Sequence, residues 1–290
     1  MDLSDLSTIR AVLSRHGFRF SKSLGQNFLI DPGVCPRMAE LCGAGPETGV
    51  LEVGPGIGVL TAELAKRGAK VAAVELDESL LPVLNETLAE YPDVKIITGD
   101  VLRLDLAALI REEFAGREVV ICANLPYYIT SPAVMRFLEE GLPISAATVM
   151  VQKEAAVRFC AEPGSRACGA VSAAIRYYAE PKILFEVPRA CFYPQPNVDS
   201  AVIRFDLLPR PGVEVQDREA FFATVKAAFG QRRKTVLNSV SAGLSLSKGQ
   251  VAAALEAAGI EPTARAEQLT LAKLGSLSDQ LFLLRKEELS

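Results

Sequence analysis

Glu52-Val-Gly54-Pro-Gly56-Ile-Gly58 closes a short apolar run, residues 49–53, and opens a helical pattern over 60–67. A strand, a glycine turn and a helix in this order begin a βαβ unit. Glycines at such a turn let the backbone pass close under a ligand with no Cβ in the way. A dinucleotide site needs G-x-G-x-x-G, but the sixth position counted from Gly54 is Val59. Glu75 lies 21 residues beyond Gly54, at the end of the next apolar strand, 70–75. A carboxylate there accepts two hydrogen bonds from a ribose diol. Asp100 follows a third strand, 95–98, and is placed either to accept from an adenine amino group or to cap the helix that follows. The set favours an adenosine ligand without a pyrophosphate.

Working outward, strand patterns recur at 118–123 and 146–151 with helical spacing between them, the rhythm of a parallel sheet covered on both faces. Residues 183–187 and 200–205 read as two more strands with no helix between them, an antiparallel pair, which makes seven in all. Leu207-Leu-Pro-Arg-Pro-Gly212 is a proline-rich connector. Beyond it, 218–240, 248–258 and 276–288 read as helices with no good strand candidate. The expected organisation is an α/β domain over 1–206 and a small all-helical domain over 207–290.

Composition narrows the chemistry. One histidine in 290 residues rules out a multi-His metal centre, and the six cysteines contain no C-x-x-C pair, so no metal is expected. Scattered thiols suit a reducing cytoplasm. The longest uncharged stretch, 119–135, contains Asn124, Pro126 and Pro132 and does not read as a membrane span. The N-terminus lacks an apolar signal core, so a cytoplasmic location is expected. The net charge of −4 speaks at first against a nucleic-acid partner, yet it averages unlike parts. Residues 1–216 carry −6 and 217–290 carry +2, while 10–30 hold Arg10, Arg15, Arg19 and Lys22 with no acid.

Six motifs, in order, carry a resemblance. They are Ser23-Leu-Gly-Gln-Asn-Phe-Leu-Ile-Asp31, Glu52-Val-Gly-Pro-Gly-Ile-Gly58, Asn124-Leu-Pro-Tyr-Tyr-Ile-Thr130, Met150-Val-Gln-Lys-Glu154, Phe192-Tyr-Pro-Gln-Pro-Asn-Val-Asp-Ser200 and Phe229-Gly-Gln-Arg-Arg-Lys-Thr235. Through them the chain resembles the Rossmann-like class I methyltransferases and, more narrowly, the bacterial small-subunit ribosomal RNA adenine dimethyltransferases linked to kasugamycin resistance. The resemblance implies S-adenosyl-L-methionine as cofactor. It also implies a monomeric enzyme that dimethylates the N6 of two adjacent adenosines in a hairpin loop near the 3′ end of 16S rRNA, within ribosome biogenesis. Asn27, Leu29, Gly54, Gly56, Glu75, Asp100 and Asn124 match cofactor-site positions; Asn124, Leu125, Pro126, Tyr127 and Phe192 match catalytic ones. Lys22, Arg232, Arg233 and Lys234 are expected on RNA phosphates, which position RNA without reading its sequence.

The Asn124-Leu-Pro-Tyr turn has a physical reason of its own. An exocyclic adenine nitrogen is a poor nucleophile because its lone pair is delocalised into the ring. Two acceptors aimed at its N–H bonds, the Asn124 side chain and the Leu125 carbonyl, localise that pair and stabilise developing positive charge. Pro126 stiffens the turn, and Tyr127 offers a ring face to a base or a sulfonium. A base in folded RNA must be extruded to reach such a pocket, and Phe192 is by resemblance the ring on which it stacks; as a core aromatic it would serve packing alone. Rival readings are a macrolide-resistance large-subunit rRNA methyltransferase, a DNA amino-methyltransferase and a non-catalytic ribosome-assembly factor. A dehydrogenase is disfavoured by Val59. No role is derived for Glu154.

Overall fold

An apolar run with a hydrophobic side chain at nearly every position suits a strand covered on both faces, and residues 49–53 form one. The computed structural model describes residues 1–21 and 25–288. In chain order the elements begin α1 (Leu6–Arg15), β1 (Phe28–Leu29), α2 (Val34–Leu41), β2 (Thr48–Val53), α3 (Val59–Lys66) and β3 (Lys70–Glu75). There follow α4 (Leu81–Thr87), β4 (Lys95–Thr98), α5 (Leu106–Glu113), β5 (Glu118–Asn124), α6 (Thr130–Glu139) and β6 (Ala146–Gln152). Next come α7 (Lys153–Phe159), α8 (Ala170–Tyr178), β7 (Ala179–Val187), β8 (Phe192–Tyr193) and β9 (Ser200–Leu207). Four more helices follow: α9 (Arg218–Phe229), α10 (Val236–Leu244), α11 (Lys248–Ala257) and α12 (Leu271–Glu288).

The seven-stranded sheet has the order β4-β3-β2-β5-β6-β9-β7. Its first five strands are parallel, and β9 runs antiparallel to β6 with Ser200 opposite Gln152. Leu51 and Ile121 face each other in register at its centre and are fully buried. Full burial of one such side chain contributes roughly 1.5–3 kcal/mol. The chain steps from β2 out to β3 and β4, then returns to β5 on the other flank of β2. That reversal brings the carboxyl ends of β2 and β5 together at a crevice.

Two features near the N-terminus go beyond the sequence reading. Residues 6–15 form a helix: Asp5 accepts from the Thr8 amide at 2.8 Å, and Ile9, Val12 and Leu13 share one buried face. That face packs with Phe28, Ile57, Leu80 and Leu84, while Glu86 holds both Arg15 and His16, the latter at 2.7 Å. The second feature is a two-stranded antiparallel sheet of β1 and β8, with Leu29 opposite Phe192 and Phe28 opposite Tyr193.

The chain divides into two compact units, 1–156 with 182–207 and 157–181 with 208–290. The boundary near 207 agrees with the connector, but a single cut there is corrected by 157–181, which joins the helical unit. Ala173 and Tyr177 of α8 are buried with Phe221, Val225 and Leu281, and the Tyr177 ring stacks on Phe221 at 5.1 Å. Helical periodicity says that a face is buried, not which core buries it. A second correction falls at 218–240, which is two helices. Thr235 adopts an extended backbone and its hydroxyl accepts from the Asn238 amide at 3.4 Å, starting α10 afresh. The run Arg232, Arg233 and Lys234 therefore lies in an exposed interhelical turn, not on a helix face.

Gly49 shows how closely α5 and its exit pack on the sheet. A Cβ added there would stand 2.6 Å from the buried Phe114 ring. Gly49→Ala is expected to destabilise the protein by about 1–3 kcal/mol through overpacking. Gly45→Ala, where an added Cβ meets nothing within 4 Å, serves as the control. Thermal melts of the two variants check the pair; equal melting temperatures would refute the close packing.

Candidate active site

Where β2 leaves the sheet, Gly54 and Gly56 both take positive φ, 70° and 59°. An L side chain is strained there, which explains why the turn is built from glycine. The Gly54 amide donates to the Val74 carbonyl at 2.9 Å, tying the turn to β3. Glu75, the last residue of β3, is buried and reaches across to the same turn. One of its oxygens accepts from the Gly56 amide at 3.3 Å and the other from the Asp77 amide at 2.8 Å. Burial pushes the Glu75 carboxyl up, and these two amides draw it back down.

Asp100 stands just past β4. It is not the cap of the next helix, because Asp105 fills that place by accepting from the Ala108 amide at 2.8 Å. Asp100 instead accepts from the Leu102 amide at 2.9 Å and pairs with Arg103 at 3.4 Å. From the other flank of β2, β5 ends at Asn124, whose side-chain amide has no hydrogen-bond partner among the described residues. The Leu125 amide donates to the Met150 carbonyl at 3.2 Å, which fixes the Asn124–Leu125 peptide plane at the end of β5. The Tyr127 hydroxyl shares a 2.8 Å hydrogen bond with Ser200 at the start of β9, so the turn is latched to the neighbouring strand.

All of these residues line one cavity: Asn27, Leu29, Gly54, Gly56, Glu75, Asp100, Asn124, Leu125, Pro126, Tyr127 and Phe192. The structure thus brings together every site residue expected from the sequence except four. Lys22 lies outside the described residues. Arg232, Arg233 and Lys234 belong to the helical unit and do not line this cavity. Phe192 is 3% exposed and shares a core cluster with Leu29 and Cys35, so its ring is a buried wall of the cavity. Tyr193 turns away into an aromatic group with Phe20, centroids 5.7 Å apart, under the Arg10 guanidinium at 4.9 Å.

Glu52 is the residue whose part the sequence reading missed. It lines the cavity, is 1% exposed, and its Oε2 has no hydrogen-bond partner among the described residues. Burial, with the Glu75 charge adding to it, pushes its carboxyl up to about 8. The signal was present as a lone acid in an otherwise apolar strand. Tyr128 was passed over too: it lines the cavity yet is 53% exposed.

The donor set has a marked electrostatic character. Glu52, Glu75 and Asp100 line the cavity, and among its described lining residues there is no Lys, Arg or His. Such a site repels phosphate and suits a ligand that carries positive charge and a diol. Sulfonium, ammonium and ribose are the groups of S-adenosylmethionine, so the residues present fit that cofactor.

The raised Glu52 carboxyl carries a stability cost with a defined sign. The folded chain holds a proton on Glu52 up to about pH 8, whereas the unfolded chain releases it near the ordinary glutamate value of 4.5. Stability is therefore lost as pH rises between those values, by up to about 3 kcal/mol at pH 7. Glu52→Gln is expected to raise the melting temperature of the ligand-free protein at pH 7, with the gain shrinking toward pH 5. Melting curves of variant and wild type that run parallel from pH 5 to 8 would overturn this.

A family model for ribosomal RNA adenine dimethylase matches residues 17–281. Ribosomal RNA small subunit methyltransferase A of Alkaliphilus oremlandii is 47% identical over 280 residues, covering 96% of this chain and 98% of that protein. The protein of the same name from Geobacillus thermodenitrificans is 47% identical over 285 residues, covering 97% of each chain. Among solved structures, the 23S rRNA methyltransferase ErmE superposes with a TM-score of 0.68 at 27% identity, covering 88% of this chain and 99% of that one. A dimethyladenosine transferase from Plasmodium falciparum shares the fold with a TM-score of 0.71 at 21% identity, covering 90% and 98%. With its acidic adenosine-type cavity and its Asn124-Leu-Pro-Tyr turn in place, the chain belongs to the ribosomal RNA adenine dimethylase family.

Proposed function

We propose that this protein dimethylates the N6 of two adjacent adenosines in a hairpin loop near the 3′ end of 16S rRNA, acting as a cytoplasmic monomer in ribosome biogenesis. The observation that carries the reading is the meeting of the Asn124-Leu-Pro-Tyr turn with Glu52, Glu75 and Asp100 on one cavity with no basic side chain among its described lining residues. S-adenosylmethionine, when bound, supplies an electrophilic methyl group. Glu75 is assigned to the ribose hydroxyls and Asp100 to the adenine amino group. Gly54, Gly56, Asn27 and Leu29 form the walls that hold the rest.

Asn124 and the Leu125 carbonyl accept from the two N–H bonds of the target nitrogen. Their hold localises the lone pair and stabilises positive charge as it develops there. After a first transfer one N–H remains, and Asn124 orients it for the second. The Tyr127 ring, held by Ser200, gives the extruded base a face, and Phe192 backs the cavity wall. Histidine and metal have no part in this scheme.

The preference for small-subunit rRNA rests on relatives 44–47% identical over nearly the whole chain, against 27% for the large-subunit enzyme. Incubation with labelled S-adenosylmethionine and undermethylated small and large subunits, followed by mapping of the modified nucleotides, tests the reading directly. Label on large-subunit rRNA alone would transfer it to the macrolide-resistance type, and absence of transfer would leave an assembly factor. Asn124→Ala is expected to slow transfer roughly a hundredfold or more, the scale set by loss of one preorganised partner of a developing charge, while weakening cofactor binding far less. Near wild-type dimethylation by purified Asn124→Ala would remove Asn124 from that role.

RNA affinity is assigned to local basic zones, not to the net charge. The exposed turn of Arg232, Arg233 and Lys234 is the densest of these. Replacing all three with Gln should flatten the dependence of log K on log salt by about 2–3 units, close to one per phosphate contact. An unchanged slope in filter-binding measurements would move the RNA contact elsewhere.

A further inference from the structure

The turn that presents Asp100 is held by a residue from another part of the site. Between β4 and α5 the Asp100 carbonyl accepts from the Arg103 and Leu104 amides, at 2.9 and 3.0 Å, and the Gly99 amide donates to the Glu75 carbonyl at 2.8 Å. These bonds wind the turn tightly, and the side chain of Leu104 folds back so closely that a Cβ on Gly99 would stand 2.9 Å from it. The Val101 and Leu104 carbonyls then point away from the turn. Both are taken by one guanidinium: Arg136 Nη1 donates to Val101 and Nη2 to Leu104. The third nitrogen, Nε, donates to Glu140 at 2.6 Å. The Arg136 side chain is 14% exposed, so these bonds sit largely out of water, where a partner lost is costly.

Arg136 lies on α6, the helix that begins directly after the Tyr127–Ile129 turn of the Asn124 motif. β4, in turn, is the outermost strand on its side of the sheet, with β3 as its one strand neighbour. We infer that Arg136 is a positioning residue: by gripping the Val101 and Leu104 carbonyls it sets where Asp100 stands in the cavity and ties the cofactor side of the site to the helix of the target-base side. This rests on the assignment of Asp100 to the cofactor. A planar fork suits two carbonyls at a fixed separation, which the single ammonium of lysine does not reproduce.

Calorimetric titration of S-adenosylmethionine into the purified protein tests the inference, with thermal melts of each variant alongside. Arg136→Gln should weaken cofactor binding roughly tenfold, the scale of one charge-assisted hydrogen bond. Arg136→Lys, which keeps the cation, should fold and bind between the two. Glu140→Gln leaves both carbonyl bonds intact and should bind like wild type. In an Asp100→Ala background, Arg136→Gln should cost less than twofold more, because its effect runs through Asp100; a residue that merely stabilised the fold would add its loss in either background. Arg136→Gln and Arg136→Lys binding as tightly as wild type, or losses that simply add, overturn the inference. Asp100→Ala binding as tightly as wild type overturns the assignment beneath it instead.

Discussion

Parallel strands are rejoined by crossovers of one hand, so a chain that reverses its direction of travel along a sheet leaves a gap between the two strands where it reverses. Here that gap is between β2 and β5, and the rest of the site depends on it. Gly54 leaves one side of the gap and Asn124 the other, while Glu75 and Asp100 arrive at the same edge because β3 and β4 run parallel to β2. Residues up to 70 positions apart in the chain thus meet without any contact of their own that needs to find them. The glycine turn and the Pro126 turn shape the mouth, but the topology makes the opening.

What fills this opening is decided by charge. Three carboxyls on one cavity, one of them buried with an oxygen that has no hydrogen-bond partner among the described residues, form a poor resting state and a good receptor for a cation. The cost appears as a proton retained on Glu52 in the ligand-free protein. Charge is also divided between the two compact units. The cofactor cavity carries acid, whereas the exposed basic turn at 232–234 belongs to the other compact unit. An overall charge of −4 then averages an acidic cavity with a basic turn and says little about either.

Much of this was legible in the chain itself. The seven sheet strands, the set Gly54, Glu75, Asp100 and Asn124, and the change to helix after 207 all follow from local periodicity and turn chemistry. The two-residue strands β1 and β8 could not be read, because two residues carry no period and their pairing spans more than 160 positions. Phe192 shows the same limit: an aromatic before prolines reads as an exposed edge, and its burial follows from a partner, Leu29, far away in sequence. Arg136 sits among apolar residues of an amphipathic helix and looks like a solvated charge until the 101–104 turn folds beneath it. The basic turn at 232–234 was misplaced onto a helix because helix propensity continues smoothly through a capped break.

The pairing of β1 with β8 has a consequence for how the protein is made. Leu29 and Phe192 form adjoining parts of the cavity wall, so the wall stays incomplete while a ribosome has released the first strand but not the second. The glycine turn, Glu75, Asp100 and Asn124 all emerge earlier. During synthesis the nascent chain therefore carries the cavity's acids before the wall that encloses them is complete. Phe192 is the last of the described lining residues to leave the ribosome, so the wall is complete only once it has emerged.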